Sequence, residues 1–118
     1  MFQRQLPIYR QLQERLCIQL HVPPDAYAIR YNIDFCLPVG DSYIGLDLRS
    51  EALEHAPQAA SKWRGVYADS HEAFRKRFGG AVYVVVSVKQ GDRKVIHNRD
   101  VIDDIRQEIE RLKNDGPL

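Results

Sequence analysis

The sequence predicts one α/β domain, a mixed sheet of about four to five strands flanked by helices in the order α-β-β-α-β-β-α. Three observations carry this. The spacing of apolar residues switches from three or four to two and back along the chain. The run AVYVVVSV holds five β-branched valines in eight residues, as in a central strand covered on both faces. The chain has 118 residues, 44% hydrophobic and 28% charged, which suits a single core without metal or disulfide staples.

The first element is a helix, because Leu6, Tyr9, Leu12, Leu16 and Leu20 recur at helical spacing before the breaker Pro23-Pro24. IQLHV at its end is a candidate for a short extra strand. From Tyr27 the period becomes two: Tyr27, Ile29, Tyr31, Ile33, Phe35 and Leu37 alternate with Arg30, Asn32, Asp34 and Cys36, predicting a half-buried strand. After PVGDS the alternation resumes with Ile44, Leu46 and Leu48 against Tyr43, Gly45, Asp47 and Arg49.

Gly40-Asp41 suits a two-residue type II′ hairpin with glycine first. That turn places Leu37 opposite Ile44, Phe35 opposite Leu46 and Ile33 opposite Leu48, with Asp34 opposite Asp47, Asn32 opposite Arg49 and Arg30 opposite Glu51 on the polar face. Beyond Pro57 a helical stretch carries Trp63, Tyr67, Phe74 and Phe78 on one stripe. Gly65 is expected to kink or divide it, and Gly79-Gly80 to stop it. The β-branched strand then turns at KQGDR into a short partner, KVIH. Asn98 is expected to cap a last helix with acidic residues in its first turn and a stripe of Ile102, Ile105, Ile109 and Leu112.

Composition narrows function mainly by exclusion. With 17 Lys and Arg against 16 Asp and Glu, the net charge of +1 gives no global field for nucleic acid or an anionic membrane, so any anion site is local. The opening MFQRQLPIYRQ lacks a secretory apolar segment and no run reaches the span of a membrane helix, so a cytoplasmic protein without membrane contact is expected. Cys17 and Cys36 stand without CxxC spacing and read as small semi-buried residues. The four histidines are scattered, without partners at ligand spacing. Nucleotide-binding glycine loops and the GxSxG elbow are missing from the sequence.

The polar face of the hairpin carries the chemistry. Asp34 and Asp47 on neighbouring strands, with Arg49 returning to the same face, match the needs of a magnesium-dependent phosphodiesterase: hard oxygens hold the cation, and a positive side chain steadies water or phosphate. The segment YNIDFCLPVGDSYIGLDLR resembles the PD-(D/E)xK restriction-endonuclease-like superfamily, in which an Asp ending one strand is followed across a hairpin by an acidic-x-Lys strand. The resemblance implies Asp34 and Asp47 as metal ligands for Mg, with the Leu48 carbonyl as a further ligand, Arg49 in the place of the lysine, and Glu14 as the acidic residue of the first helix. Lys62 on the following helix is a candidate for the lysine's role, since a guanidinium that never deprotonates replaces it poorly.

The same charges also suit a plain salt-bridged sheet face, with Arg30 opposite Glu51 and Arg49 diagonal to Asp34. Carboxylates held together for a metal would repel without it, so their amide variants would then be neutral or stabilising. A basic set, Arg64 with Arg75, Lys76 and Arg77, is a candidate nucleic-acid surface, with DNA expected before RNA. Cations in a last helical turn are equally favoured by the helix dipole. The expected function is a metal-dependent nuclease or a catalytically degenerate nuclease-like nucleic-acid-binding protein. The alternative is a non-enzymatic interaction module (immunity, chaperone or accessory subunit), acting on a protein partner or as a homodimer.

Overall fold

In the computed structural model residues 2–115 are described, with side chains from 7 to 114. Helix α1 spans Phe2–Leu16, α2 Asp25–Tyr31, strand β1 Phe35–Val39, β2 Ser42–Ser50, α3 Ala56–Val66, α4 Ala68–Phe78, β3 Gly79–Gln90, β4 Arg93–Ile96 and α5 Asp100–Asp115. The sheet runs β1-β2-β3-β4, with the outer pairs antiparallel and the central β2–β3 pair parallel. A parallel pair needs a crossover, which α3 and α4 supply.

The expected hairpin register is present in β1 and β2: Phe35 lies opposite Leu46, Leu37 opposite Ile44, and Val39 opposite Ser42. Gly40 has φ +60 while Asp41 keeps negative φ, the combination of a type II′ turn. Residues 27–31, expected as strand, are instead helix α2. The aromatics Tyr27 and Tyr31 are four apart as well as evenly spaced, so they fit either period. Burial of Tyr31 against Phe74 and Phe78 of α4 selects the helix and leaves Ile29, assigned to the apolar face of a strand, 78% exposed. Asn32 ends α2 in the left-handed conformation, so Ile33 never pairs with Leu48. Of IQLHV only His21 joins the sheet, through one antiparallel bridge to Cys36 on the outer side of β1. Pro38 points its missing N–H to that same outer side, where an edge strand tolerates it.

Helices cover both faces. On one side α1 and α5 enclose the main core, with Ile8, Leu12 and Leu16 of α1 meeting Leu37, Ile44, Leu46 and Val85 of the sheet and Ile102, Ile105 and Ile109 of α5. Leu6 lies outside the described side chains. On the other side α3 packs Ala56 and Ala59 on Val84 and Val86, and α4 packs Phe74 beside Tyr31 and Ile33. Val84, Val85 and Val86 therefore meet opposite layers in turn, which is why that run shows no polar alternation. The expected long helix is divided at Tyr67, two residues past Gly65, and ends at Gly79 with φ +91.

Strand β4 pairs only with residues 87–90, and side chains finish the rest of that β3 edge. Asn98, expected as a helix cap, instead donates from Nδ2 to the Val84 carbonyl at 2.8 Å and accepts from the Val86 amide at 2.8 Å. Backbone groups left beyond the end of β4 need partners, and the amide side chain mimics one more strand residue. Glu108 of α5 accepts from the Ala81 amide at 2.9 Å while Arg111 holds both its oxygens, at 2.6 and 2.9 Å.

Two expectations follow. A Cβ at Gly80 would run into the backbone carbonyl of Tyr43, whereas one at Gly65 meets nothing. Gly80→Ala should lower unfolding free energy by about 1–3 kcal/mol, and Gly65→Ala should be neutral or stabilise by up to about 1 kcal/mol, both read by urea denaturation. The Arg111 hydrogen bonds, supported by the Ala81 amide, hold the Glu108 carboxyl below its usual range. Its contribution is complete above the unfolded carboxyl value of about 4.3 and is lost as pH falls through the lower folded value. Glu108→Gln should therefore flatten the acid side of the Tm-versus-pH curve.

Candidate functional site

The hairpin delivers Asp47 to the face of β2 opposite Leu46. Helices α3 and α4 cover that face, and Asp47 is 1% exposed rather than solvated. Its cation comes from two residues further along the same face. Arg49 Nε sits 2.8 Å from Asp47 Oδ1. That N–H is not aimed at the oxygen, and the aligned bond runs from Arg49 Nη2 to Oδ2 at 3.3 Å. His71 of α4 approaches from the other layer, with Nε2 3.5 Å from Oδ2, buried and without an aligned hydrogen bond.

Arg49 also sets the aromatic side of the site. Its guanidinium carbon lies 4.3 Å from the Trp63 ring centre and 4.8 Å from that of Tyr67. Those two rings stack at 13° with centroids 5.7 Å apart. Trp63 donates from its indole nitrogen to Glu51 at 3.2 Å, and Lys62 Nζ stands 4.9 Å from the Trp63 ring centre. Guanidinium on an aromatic face loses little, since it is weakly hydrated, and keeps its edges free for other acceptors. The result is a half-buried cation and two rings above a buried carboxylate.

The other sequence-derived residues do not all converge here. Asp34, just before β1, accepts from the Leu48 amide at 2.7 Å, and its own amide donates to Leu46 O. The carboxylate thus takes the position a strand residue at 33 would have occupied opposite Leu48. Glu14 is exposed on α1, which packs against the opposite face of the sheet from Asp47. Arg64 is exposed and bonds back to the Ala60 carbonyl of its own helix. The three consecutive cations of α4 turn apart. Arg75 pairs with Glu72, Arg77 donates to the Tyr27 and Tyr31 hydroxyls, and Lys76 is exposed.

His71 escaped the sequence reading, which treated the histidines as scattered. The signal was its place in a row with Trp63 and Tyr67 at four-residue spacing, the row that faces Asp47 and Arg49.

These donors leave little for a divalent cation. Both Asp47 oxygens already face Arg49 or His71, Asp34 holds a backbone amide, and among the described residues no three His, Cys, Asp or Glu side chains converge. A cation at Asp47 would meet a fixed guanidinium charge at van der Waals range, so this arrangement does not fit magnesium. No protein-family model matches the chain, and no curated protein matches its sequence. Among the described residues no helix is long and apolar enough to cross a membrane.

Asp34→Ala leaves the Leu48 amide without its acceptor and should cost about 1–3 kcal/mol. Amide hydrogen exchange at Leu48 should accelerate in the variant, with exchange at Val85 changed only by the global loss. An unchanged Leu48 rate would show that the bond contributes nothing.

Proposed function

We propose that this chain is a nuclease-like nucleic-acid-binding domain that binds without cleaving. The observation that carries the reading is the Arg49 guanidinium, fixed by Asp47 and laid over Trp63 and Tyr67, with Lys62 beside the same indole. A nucleic acid presents phosphates to cations and flat bases to rings, and this site offers both within one side-chain length. The resemblance of the hairpin to the PD-(D/E)xK pattern supports the reading, as does the helical crossover into a parallel β3. The engaged carboxylates favour binding over metal-assisted hydrolysis. A balanced net charge means affinity must come from a local group of cations rather than from a global field.

Fluorescence anisotropy with labelled DNA, duplex and single-stranded, and with RNA of the same sequence tests it. Trp63 is the only tryptophan, so its quenching reports contact at the site itself. Binding should weaken steeply with salt, and Lys62→Gln should lower the salt slope by about one unit. The expected order is DNA before RNA. Unquenched Trp63, or binding that Lys62→Gln leaves unchanged, would remove the site from the reading.

A second reading, a protein-binding module or homodimer, draws on Val22 and Ile29, which are 62% and 78% exposed before β1. Sedimentation decides it: a dimer that Ile29→Glu dissociates would favour this reading, and a monomer at all concentrations would count against self-association.

A further inference from the structure

Away from the Asp47 site, the flank where α2, α4 and β1 meet holds a cavity of about 290 Å3. Its walls are the rings of Tyr27, Tyr43, Phe74 and Phe78, and Cys36 and His21 contribute to its lining. We propose that this cavity is a binding site for a small planar organic anion, an aryl carboxylate, seated with its ring among the four aromatic side chains and its carboxylate at Arg77.

Size and shape come first. An apolar cavity of roughly 150 Å3 takes up benzene, so one this large has room for two fused rings. The wall rings centre on Phe78, with Tyr43 edge-on at 87° and 5.9 Å, Tyr27 at 60° and 5.8 Å, and Phe74 at 44° and 4.8 Å. Rings set at such angles offer both faces and edges to a further ring, an arrangement aliphatic chains exploit less well.

Charge sets the rest. Among the described residues no acidic side chain lines the cavity. Arg77 does not itself line the cavity but stands against two of the wall rings, with the guanidinium carbon 5.0 Å from the Tyr27 ring centre and 5.3 Å from that of Phe78, so a carboxylate would have to extend past those rings to meet it. It is held there by neutral oxygens, donating to the Tyr31 hydroxyl at 3.1 Å and the Tyr27 hydroxyl at 3.0 Å. Among the described residues no carboxylate forms an ion pair with it. A positioned guanidinium whose charge is not neutralised, beside an apolar cavity, is the complement of a ring bearing a carboxylate. Burial pushes the Cys36 thiol up, which keeps that group neutral. The site is independent of the nucleic-acid reading, since neither Arg49 nor Trp63 lines it.

The two cysteines make the test internal. Cys36 lines the cavity, whereas Cys17, just past the end of α1, is exposed and does not line it. Alkylation by N-ethylmaleimide is followed at each by peptide mass spectrometry, with 2-naphthoate or the uncharged 2-naphthylmethanol added, and the fluorescence polarisation of naphthoate is read in parallel. Naphthoate should slow alkylation of Cys36 and leave Cys17 unchanged, at lower concentration than the alcohol. Arg77→Gln should raise the naphthoate requirement about tenfold and leave that of the alcohol unaltered. Should Cys36 prove too slow to alkylate, polarisation carries the same two comparisons. Neither protection nor polarisation at millimolar naphthoate would overturn the proposal. So would equal potency of acid and alcohol with Arg77→Gln without effect, the pattern of a purely apolar cavity such as one that takes a partner's side chain.

Discussion

A carboxylate taken almost wholly out of water must keep its charge compensated, and Asp47 imposes that constraint on the middle of this molecule. The strand answers it locally, since two residues on the side chain returns to the same face and Arg49 supplies the countercharge. The consequence reaches the next layer. A guanidinium drawn onto Asp47 must lie against α3 and α4, and it does so on the stacked rings of Trp63 and Tyr67, at the point where the crossover bends from one helix to the other. His71 closes the carboxylate from α4. The parallel β2–β3 pair depends on that crossover staying packed over the sheet.

Around this centre the fold repeatedly lets side chains complete hydrogen bonding that the backbone leaves unfinished. Asp34 ends the β1–β2 ladder, Asn98 extends β4 along β3, and Glu108 meets Ala81 from α5. Asp34 and Asn98 sit where a strand stops short of its neighbour and leave less edge open to a foreign strand, and Glu108 meets β3 at the register shift of its pairing with β2. Residues that look catalytic by type are therefore partly explained by sheet geometry. What remains for recognition is cationic and aromatic: Arg49 and Lys62 on one flank, and Arg77 with its tyrosines on another.

Much of this was legible in the sequence, for identifiable reasons. Turn chemistry and alternation both specified the β1–β2 register, and the β-branched run of β3 specified a strand buried on both sides. The Ile102, Ile105 and Ile109 stripe gave α5. Helix α2 was not legible, because Tyr27 and Tyr31 satisfy two periods at once and only packing against Phe74 and Phe78 separates them. The burial of Asp47 was hidden for a related reason. Alternation tells which residues share a face, but a helical layer arriving from later in the chain decides whether that face is wet. Asp34 and Asp47 belong to the predicted hairpin, yet their partners are a backbone amide and a guanidinium, and His71 enters from an element whose orientation no local pattern fixes.

The central claim is that Asp47 and Arg49 act as one buried pair. A double-mutant cycle measures it most directly: Asp47→Asn, Arg49→Leu and the double variant, unfolded in urea with and without magnesium. A coupling energy of about 1–3 kcal/mol is expected, within the range found for contacting residues, with Tm indifferent to magnesium in all four proteins. Additive effects of the two substitutions, together with a magnesium-induced rise in Tm that disappears in Asp47→Asn, would show instead that the carboxylate serves a metal and that its pairing with Arg49 is incidental.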